Sequence, residues 1–528
     1  MNTAEVLVAG MEQEGVEHVF GIPGEETEAL LFALRDSEIT FVPTRHEQGA
    51  AFMADVWGRL TGDAGVCLST LGPGATNLLT GVADANLDKA PLVAITGQGG
   101  LERLHKESHQ ALDVVDMFDP VTKWNAQISD PAIVHESVRK AFKVAEYEKP
   151  GATHLELPED VAYEDCDVRP MAARERVRRP EPDVPSLDRV RELLADADRP
   201  IVVAGNGAVR TDASAELRSF VETYDLPVAA TYMGKGAVSD DSEHSLLTLD
   251  SGDHEEASDA IESADLVIAV GYDVAEHDPA DWNPEGETTV VHVDSEPAEV
   301  YERYNPTVEV VSDIAAAVRE LAAACDDIDA EFETDWYDDL REHVLEDVTA
   351  DREPDDPFTV RGVLPVLREA MAREDVLISD VGSHKLAIAQ NFPTYEPNTC
   401  IVSNGLASMG ISVPGGLAAD LAVEANVVAA TGDGGFMMNA AEIETATRLG
   451  CGFTILLFND AEYQLITEEQ VEHRGEHFGT EIANPDFQTF AESFGIEAYR
   501  PGDWDELETA LDEAVGSHEM SLVEVALE

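Results

Sequence analysis

Two aspartates stand where a parallel sheet would present them to a ligand. Asp433 follows the apolar run Val427-Val-Ala-Ala-Thr431 within Gly432-Asp433-Gly434-Gly435, and a helical pattern from Asn439 to Leu449 comes next. That pattern leads into Phe453-Thr-Ile-Leu-Leu-Phe458, which ends in Asn459-Asp460-Ala461-Glu462-Tyr463. Parallel strands joined by one helix bring their C-terminal ends to one edge, where ligands of open α/β sheets collect and a helix N-terminus favours a diphosphate. The two carboxylates, 27 residues apart, can therefore converge with a loop carbonyl on one hard cation. Mg²⁺ suits that arrangement, because it takes few protein oxygens and completes its octahedron with phosphate and water. Either stretch alone reads more readily as a plain glycine turn or loop end; the pair, each after an apolar strand, reads as a site.

The elements that would position such a site are legible as short apolar, β-branched runs alternating with helical patterns, the signature of α/β domains with doubly wound parallel sheets. Three blocks follow. Residues 1–165 contain strand candidates 19–21, 65–69, 92–96 and 154–158; residues 187–325 contain 201–204, 266–271 and 290–294; residues 358–528 contain 376–379, 426–431, 453–458 and 521–525. Residues 166–186, rich in Pro and Arg, read as a linker, and the acidic stretch 326–357 as a helix plus a second linker. The expected fold is three doubly wound α/β domains in series.

Composition bounds the rest. A chain of 528 residues exceeds what one hydrophobic core serves. With 33 Lys plus Arg against 107 Asp plus Glu, the net charge is −74, spread over every third of the chain, while 44% of residues are apolar. Cores can form, so the charge belongs on surfaces. Such a surface repels itself in dilute salt; molar salt shrinks the Debye length to about 3 Å and removes most of that cost, which points to a halophilic source. Nucleic acid and anionic membranes are excluded as partners, since both require a basic patch. Five scattered cysteines without a CxxC pair argue against a disulfide framework or a zinc site. No apolar run is long enough to span a membrane and no cationic leader precedes one, so a soluble, cytoplasmic protein is expected.

The paired aspartate segments match the motif that binds thiamine diphosphate (ThDP), in which GDG is followed, one helix and strand later, by a paired Asn. The resemblance implies that Asp433, the side chain at 460 and the main-chain oxygen of Glu462 hold Mg²⁺ on the diphosphate, with Gly432, Gly434 and Gly435 shaping the loop. Position 460 departs from the motif in carrying Asp, as in the FAD-independent catabolic acetolactate synthases; the added charge strengthens cation binding and repels the diphosphate slightly. Arg45-His46-Glu47-Gln48-Gly49-Ala50 resembles the acetolactate synthase segment whose glutamate bonds the aminopyrimidine ring and favours its imino tautomer, so Glu47 is the expected proton-handling carboxyl. GIPGEE (21–26), LGPGATN (71–77) and AITGQ (94–98) resemble successive loops of that family, with Gly24 and Gly72 at the reacting centre. His109-Gln110 resembles a pair whose glutamine, here Gln110, reaches cofactor and substrate. Asp380-Val-Gly-Ser-His384 resembles the diphosphate loop, with Gly382, Ser383 and His384 donating to phosphate. Met409, in Asn404-Gly-Leu-Ala-Ser-Met-Gly410, resembles the methionine that props the cofactor into its bent shape.

This resemblance covers all three blocks, in the order pyrimidine, central and diphosphate domain. It implies an acetolactate synthase that decarboxylates pyruvate and joins the remainder to a second 2-oxo acid, in branched-chain amino acid or overflow metabolism. A homodimer is the implied minimum, with a tetramer and a small regulatory subunit left open. The stretch 271–284 (GYDVAEHDPADWNP) resembles the catabolic, FAD-free enzymes; Ala204-Gly-Asn-Gly-Ala208 after an apolar strand keeps FAD as the lesser alternative, since a lone GxG is a weak signal. A pair of adjacent histidines, typical of simple decarboxylases, is absent. The rival readings are another ThDP-dependent decarboxylase, carboligase or oxidase of 2-oxo acids, and a non-catalytic ThDP-binding subunit.

Overall fold

The strands buried on both faces are the ones that read most clearly as apolar runs, and they occupy the middle of each sheet. The computed structural model describes residues 1–249, 256–326, 332–333, 335–348 and 356–527. It contains three six-stranded sheets, with parallel pairing throughout the registers defined here. Packing divides the chain into two compact units, one of residues 1–177, 405–499 and 517–524, the other of residues 178–404, 500–516 and 525–528.

In the first unit, one sheet runs in the order Thr40–Pro43, His18–Gly21, Gly65–Ser69, Leu92–Gln98, Ala152–Pro158, Trp124–Gln127. The order reverses between His18–Gly21 and Gly65–Ser69, the kind of switch point at whose carboxyl edge open α/β sheets bind ligands. Gly24 and Gly72 lie just beyond these two strand ends, and Glu47 just beyond the end of Thr40–Pro43. The helix Glu47–Thr61 starts at His46, whose ring nitrogen accepts from the Gln48 N–H at 3.1 Å, and stops at Gly62 in the left-handed region. It is buried over most of its first three turns and packs on the helices Pro73–Leu87 and Ser412–Ala422. Small residues permit the close approach: a Cβ at Gly81 would lie 2.6 Å from that of Ala51. The same unit holds the parallel strands Val427–Gly432 and Thr454–Asn459.

Glu497–Tyr499 pairs with Ser521–Ala526. The helix expected over 439–449 begins only at Glu442 and runs to Leu449, and the GDG turn itself opens a separate short helix, Asp433–Asn439, with Gly432 as N-cap. Two arginines of the expected linker are fastened to this unit, Arg174 to Glu14 and Glu146, and Arg176 to Asp63. Buried Glu14 and Glu146, with the exposed Asp63, thereby hold part of the cationic stretch.

In the second unit the sheet order is Val308–Val311, Thr289–Asp294, Leu266–Val270, Pro200–Ala204, Val228–Ala230, Ser245–Thr248. This is the order of a dinucleotide-type fold, with its switch point between Pro200–Ala204 and Leu266–Val270. Alternate residues of a strand serve opposite faces, so Val202 and Ile268 enter one core while Ile201, Val203, Val267 and Ala269 enter another with Tyr272, Trp282 and Tyr304. Val376–Ser379 and Cys400–Val402 pair in parallel in the same unit. Part of the expected second linker lies outside the described residues; within it, Asp335–Val348 is helical.

Candidate cofactor site

Val427–Gly432 and Thr454–Asn459 are adjacent and parallel, so Asp433 and Asp460 emerge at one sheet edge, as their positions predict. Asp433 is 2% exposed and held by three donors. Its Oδ1 accepts from the Gly434 N–H at 2.7 Å, and its Oδ2 from the Ala461 N–H at 2.8 Å and the Asn484 amide at 2.5 Å. Ala461 adopts φ +59°, a conformation that a non-glycine residue enters at a cost; the turn it makes aims its N–H at Asp433. Asp460 accepts from the Glu462 N–H at 3.0 Å through Oδ1, and its other oxygen has no hydrogen bond among the described residues.

Burial raises the Asp433 carboxyl above its usual range, opposed first by the Asn484 amide. Asp460 is pushed up to about 6, by burial foremost, with the Glu462 N–H opposing and the Asp433 charge adding to the rise. Two half-desolvated carboxyls at one edge, the second raised further by the charge of the first, are a fitting pair for a cation. The third expected ligand is also available. Ala461 and Tyr463 pair with Ile482 and Thr480, whereas the Glu462 carbonyl takes no part in this pairing. No group of three or more His, Cys, Asp or Glu side chains forms a cage among the described residues; two carboxylates and a main-chain oxygen do not require one. Gly434 and Gly435 are buried, and a Cβ at Gly434 would lie 2.8 Å from the Tyr463 ring and 3.4 Å from Met409 Cε. Met409 therefore lies beside the GDG turn.

Across the first sheet's edge, Glu47 is buried and its Oε2 accepts from Asn77 at 3.0 Å. Its Oε1 is unclaimed among the described residues, and Gly74 leaves it room, since a Cβ there would stand 3.2 Å away. Gly24 is confined by Thr70, whose Cβ would be 2.3 Å from an added methyl. Gly72 has φ +51°, and a Cβ there would meet the Gln110 carbonyl at 2.7 Å. Gly72 and Gln110 are thus brought together through backbone, with the Gln110 side chain exposed. Beside them is a cavity of about 540 Å³ lined by Gln98, Ser108, Leu112, Gln127 and Glu156 among others. The Glu156 carboxyl accepts from Gln98 and Gln127 at its base.

In the second unit, Gly382 caps the helix Ser383–Asn391. His384 is buried, its ring 3.0 Å from where a Gly382 Cβ would be, and burial lowers its imidazole to about 4. A neutral ring keeps one N–H to donate. The neighbouring Lys385, which the sequence did not single out, is buried and donates to Asn404 at 2.9 Å.

The GxG segment of the central sheet packs closely against the next strand end. At the switch point, a Cβ on Gly205 would lie 2.4 Å from the Gly271 carbonyl, and one on Gly207 2.5 Å from the Gly271 Cα. These glycines serve backbone packing. The Glu276 carboxyl accepts from the Asn206 N–H at 2.9 Å and the Thr231 hydroxyl at 2.6 Å. Asn484, Asn77 and Glu276 carry these arrangements, and the sequence assigned none of them a role; each acts through a partner at least 30 residues distant.

Comparison with known proteins agrees with this organisation. Residues 1–117, 187–321 and 380–525 match the N-terminal TPP binding, central and C-terminal TPP binding domains of thiamine pyrophosphate enzymes. The chain is 32% identical to the acetolactate synthase of Bacillus subtilis, over 99% of this chain and 93% of that protein. It is 32% identical to the catabolic acetolactate synthase of Raoultella terrigena, over 97% and 92%. It is 31% identical to the large subunit of acetolactate synthase isozyme 2 of Escherichia coli, over 100% and 96%. Three parallel-sheet domains in this order, together with full-length likeness of this degree, establish that the chain belongs to the acetolactate synthase family of thiamine pyrophosphate enzymes.

Proposed function

We propose that this chain is a ThDP- and Mg²⁺-dependent acetolactate synthase that works without FAD: two pyruvates and a proton give 2-acetolactate and CO₂, or 2-oxobutyrate serves as the second 2-oxo acid. The observation that carries the metal requirement is the pair Asp433 and Asp460 at adjacent strand ends, each raised by burial and the second also by the first. When bound, ThDP supplies an electron sink for the charge that decarboxylation leaves. Asp433, Asp460 and the Glu462 carbonyl would hold Mg²⁺ against its diphosphate. Glu47, with Oε2 fixed by Asn77, would use Oε1 to hold a proton at the aminopyrimidine ring. Gly24 and Gly72 keep side chains out of the reacting space, and Gln110 orients the 2-oxo acid.

The FAD-free reading is supported by Glu276. A nucleotide in this type of fold places its phosphates at the N–H groups beyond the first strand, and here the chain's own carboxyl group takes the Asn206 N–H. A second copy of the chain is supported by apolar side chains left exposed on either side of the metal loop, among them Met437, Met438, Leu465, Ile466 and Val471. Exposure of this kind is typical of association surfaces. Among the described residues no helix is long and apolar enough to cross a membrane; a cytoplasmic location in a salt-rich cell fits the charge of −74.

The deciding experiment is product analysis with pyruvate in molar KCl, with and without ThDP, Mg²⁺ and FAD. Acetolactate formed with ThDP and Mg²⁺ alone is expected; acetaldehyde as sole product would overturn the proposal. Glu47→Gln should lower turnover by about 10²- to 10⁴-fold, the usual worth of a positioned proton-transfer group, while still binding ThDP. A Glu47→Gln enzyme of wild-type activity would remove Glu47 from the mechanism.

A further inference from the structure

The turn ahead of Glu47 is held by a carboxylate almost 400 residues away. Between the strand Thr40–Pro43 and the helix Glu47–Thr61 the chain turns through Thr44, Arg45 and His46. The N–H groups of Arg45 and His46 both point at Glu442. Its Oε1 accepts from Arg45 at 3.0 Å and from His46 at 2.9 Å, and its Oε2 from Arg45 at 3.2 Å. Glu442 is 1% exposed, and the Thr445 hydroxyl locks Oε2 at 2.6 Å. The fit extends into the helix itself: a Cβ at Gly49 would be 2.7 Å from Glu442 Oε1, so the carboxylate seats on the first turn only because residue 49 is glycine. The Arg45 side chain also meets Glu444 at 2.8 Å, but that guanidinium is half exposed, where an ion pair adds little.

We infer that Glu442 is a positioning residue that sets where Glu47 presents its carboxyl, acting through the backbone N–H groups of Arg45 and His46. The inference rests on reading Glu47 as the carboxyl that faces the cofactor. Glu442 is itself placed by the segment that leaves the GDG turn, through the helix Asp433–Asn439 and two further residues. One stretch of chain therefore orients both the metal-side aspartate and the turn before the proton-handling glutamate. A misplacement of about 1 Å at a reacting group costs on the order of 10²-fold in rate, and Glu442 is the contact that opposes such a shift.

Reach and charge can be separated by two substitutions. Glu442→Gln keeps the length and a carbonyl acceptor for both N–H groups but loses the charge. Glu442→Asp keeps the charge and withdraws the acceptor by about 1.5 Å, one carbon–carbon bond. Two readouts apply: deuterium exchange at the thiazolium C2 of bound ThDP without substrate, and amide exchange of residues 44–48 in the cofactor-free chain. We expect the Gln variant to keep both within about threefold of wild type, and the Asp variant to lose at least about tenfold in C2 exchange and to unprotect these amides. Should the Asp variant not fold, Thr445→Val, which releases Oε2, must slow C2 exchange as well. The inference is overturned if the Gln variant falls as far as the Asp variant, since charge would then be what matters. It is equally overturned if the Asp variant, or Thr445→Val in its place, exchanges C2 at the wild-type rate. Wild-type product formation, measured separately, reports on the functional reading: a protein that exchanges C2 rapidly yet makes no acetolactate would sink that reading and leave this one standing.

Discussion

Replacing Asn484 by alanine isolates the support of the proposed metal site from its proposed ligands. The Asn484 amide donates to Asp433 Oδ2 at 2.5 Å and to Asn459 Oδ1 at 2.9 Å. In the alanine variant Asp433 retains its two backbone donors, from Gly434 and Ala461, and loses only the side-chain one. A hydrogen bond to a charged group contributes about 1.5–3 kcal/mol, and at about 1.4 kcal/mol per decade this is roughly 10- to 150-fold in a binding constant. Loss of an outer-shell partner of a metal ligand costs about 10- to 100-fold in affinity, so two independent routes give the same range. The Mg²⁺ concentration needed for half-maximal ThDP retention, followed by equilibrium dialysis in molar KCl, should therefore rise by about 10- to 100-fold. There is an opposing effect, because a carboxylate that loses a donor becomes more basic and on charge alone would bind Mg²⁺ more tightly. A folded Asn484→Ala protein whose Mg²⁺ requirement is unchanged, or lower, would refute the claim that orientation of Asp433 governs the site.

Gly24→Ala should destabilise the first unit by about 1–3 kcal/mol through overpacking, because the new methyl would stand 2.3 Å from Thr70 Cβ and displace a side chain that donates to Glu26; unchanged thermal unfolding by circular dichroism would contradict this. Glu276→Gln tests the buried carboxyl at the central switch point through pH. Burial pushes the Glu276 carboxyl up from 4.5 to about 8, so the folded chain keeps a proton that the unfolded chain releases, and this group's contribution to stability falls as pH rises through that interval and levels off above it. The melting temperature of Glu276→Gln relative to wild type should climb between those two pH values, and a gap independent of pH would exclude the ionisation.

The strands expected from apolar runs are all present, and those missed are mostly at sheet edges. Thr40–Pro43, Trp124–Gln127, Ser245–Thr248, Val308–Val311, Cys400–Val402 and Glu497–Tyr499 each lie at the end of a sheet, and Val228–Ala230 is the exception. A central strand of a parallel sheet is covered on both faces and must be apolar throughout, whereas an edge strand is short and partly wet. Burial thus wrote the middle of each sheet into the composition and left its margins unmarked. The loops with chemistry were legible for a related reason: each begins where an apolar run stops, and glycine stands wherever a neighbouring backbone or side chain comes too close for a Cβ, as at Gly24 and Gly72.

By itself, the order of residues determined three α/β blocks, the acidic surface and the loops that carry Glu47, Asp433 and Asp460, because periodicity, composition and strand-end motifs are local properties. Only the folded chain decided that Asn77 holds Glu47, that Asn484 holds Asp433, that Glu442 clasps the turn at Arg45 and His46, and that Glu276 takes the Asn206 N–H. A polar side chain in a loop looks the same whether it is solvated or buried against a distant backbone N–H. What separates the two cases is desolvation, which exists only once the sheets have closed over it.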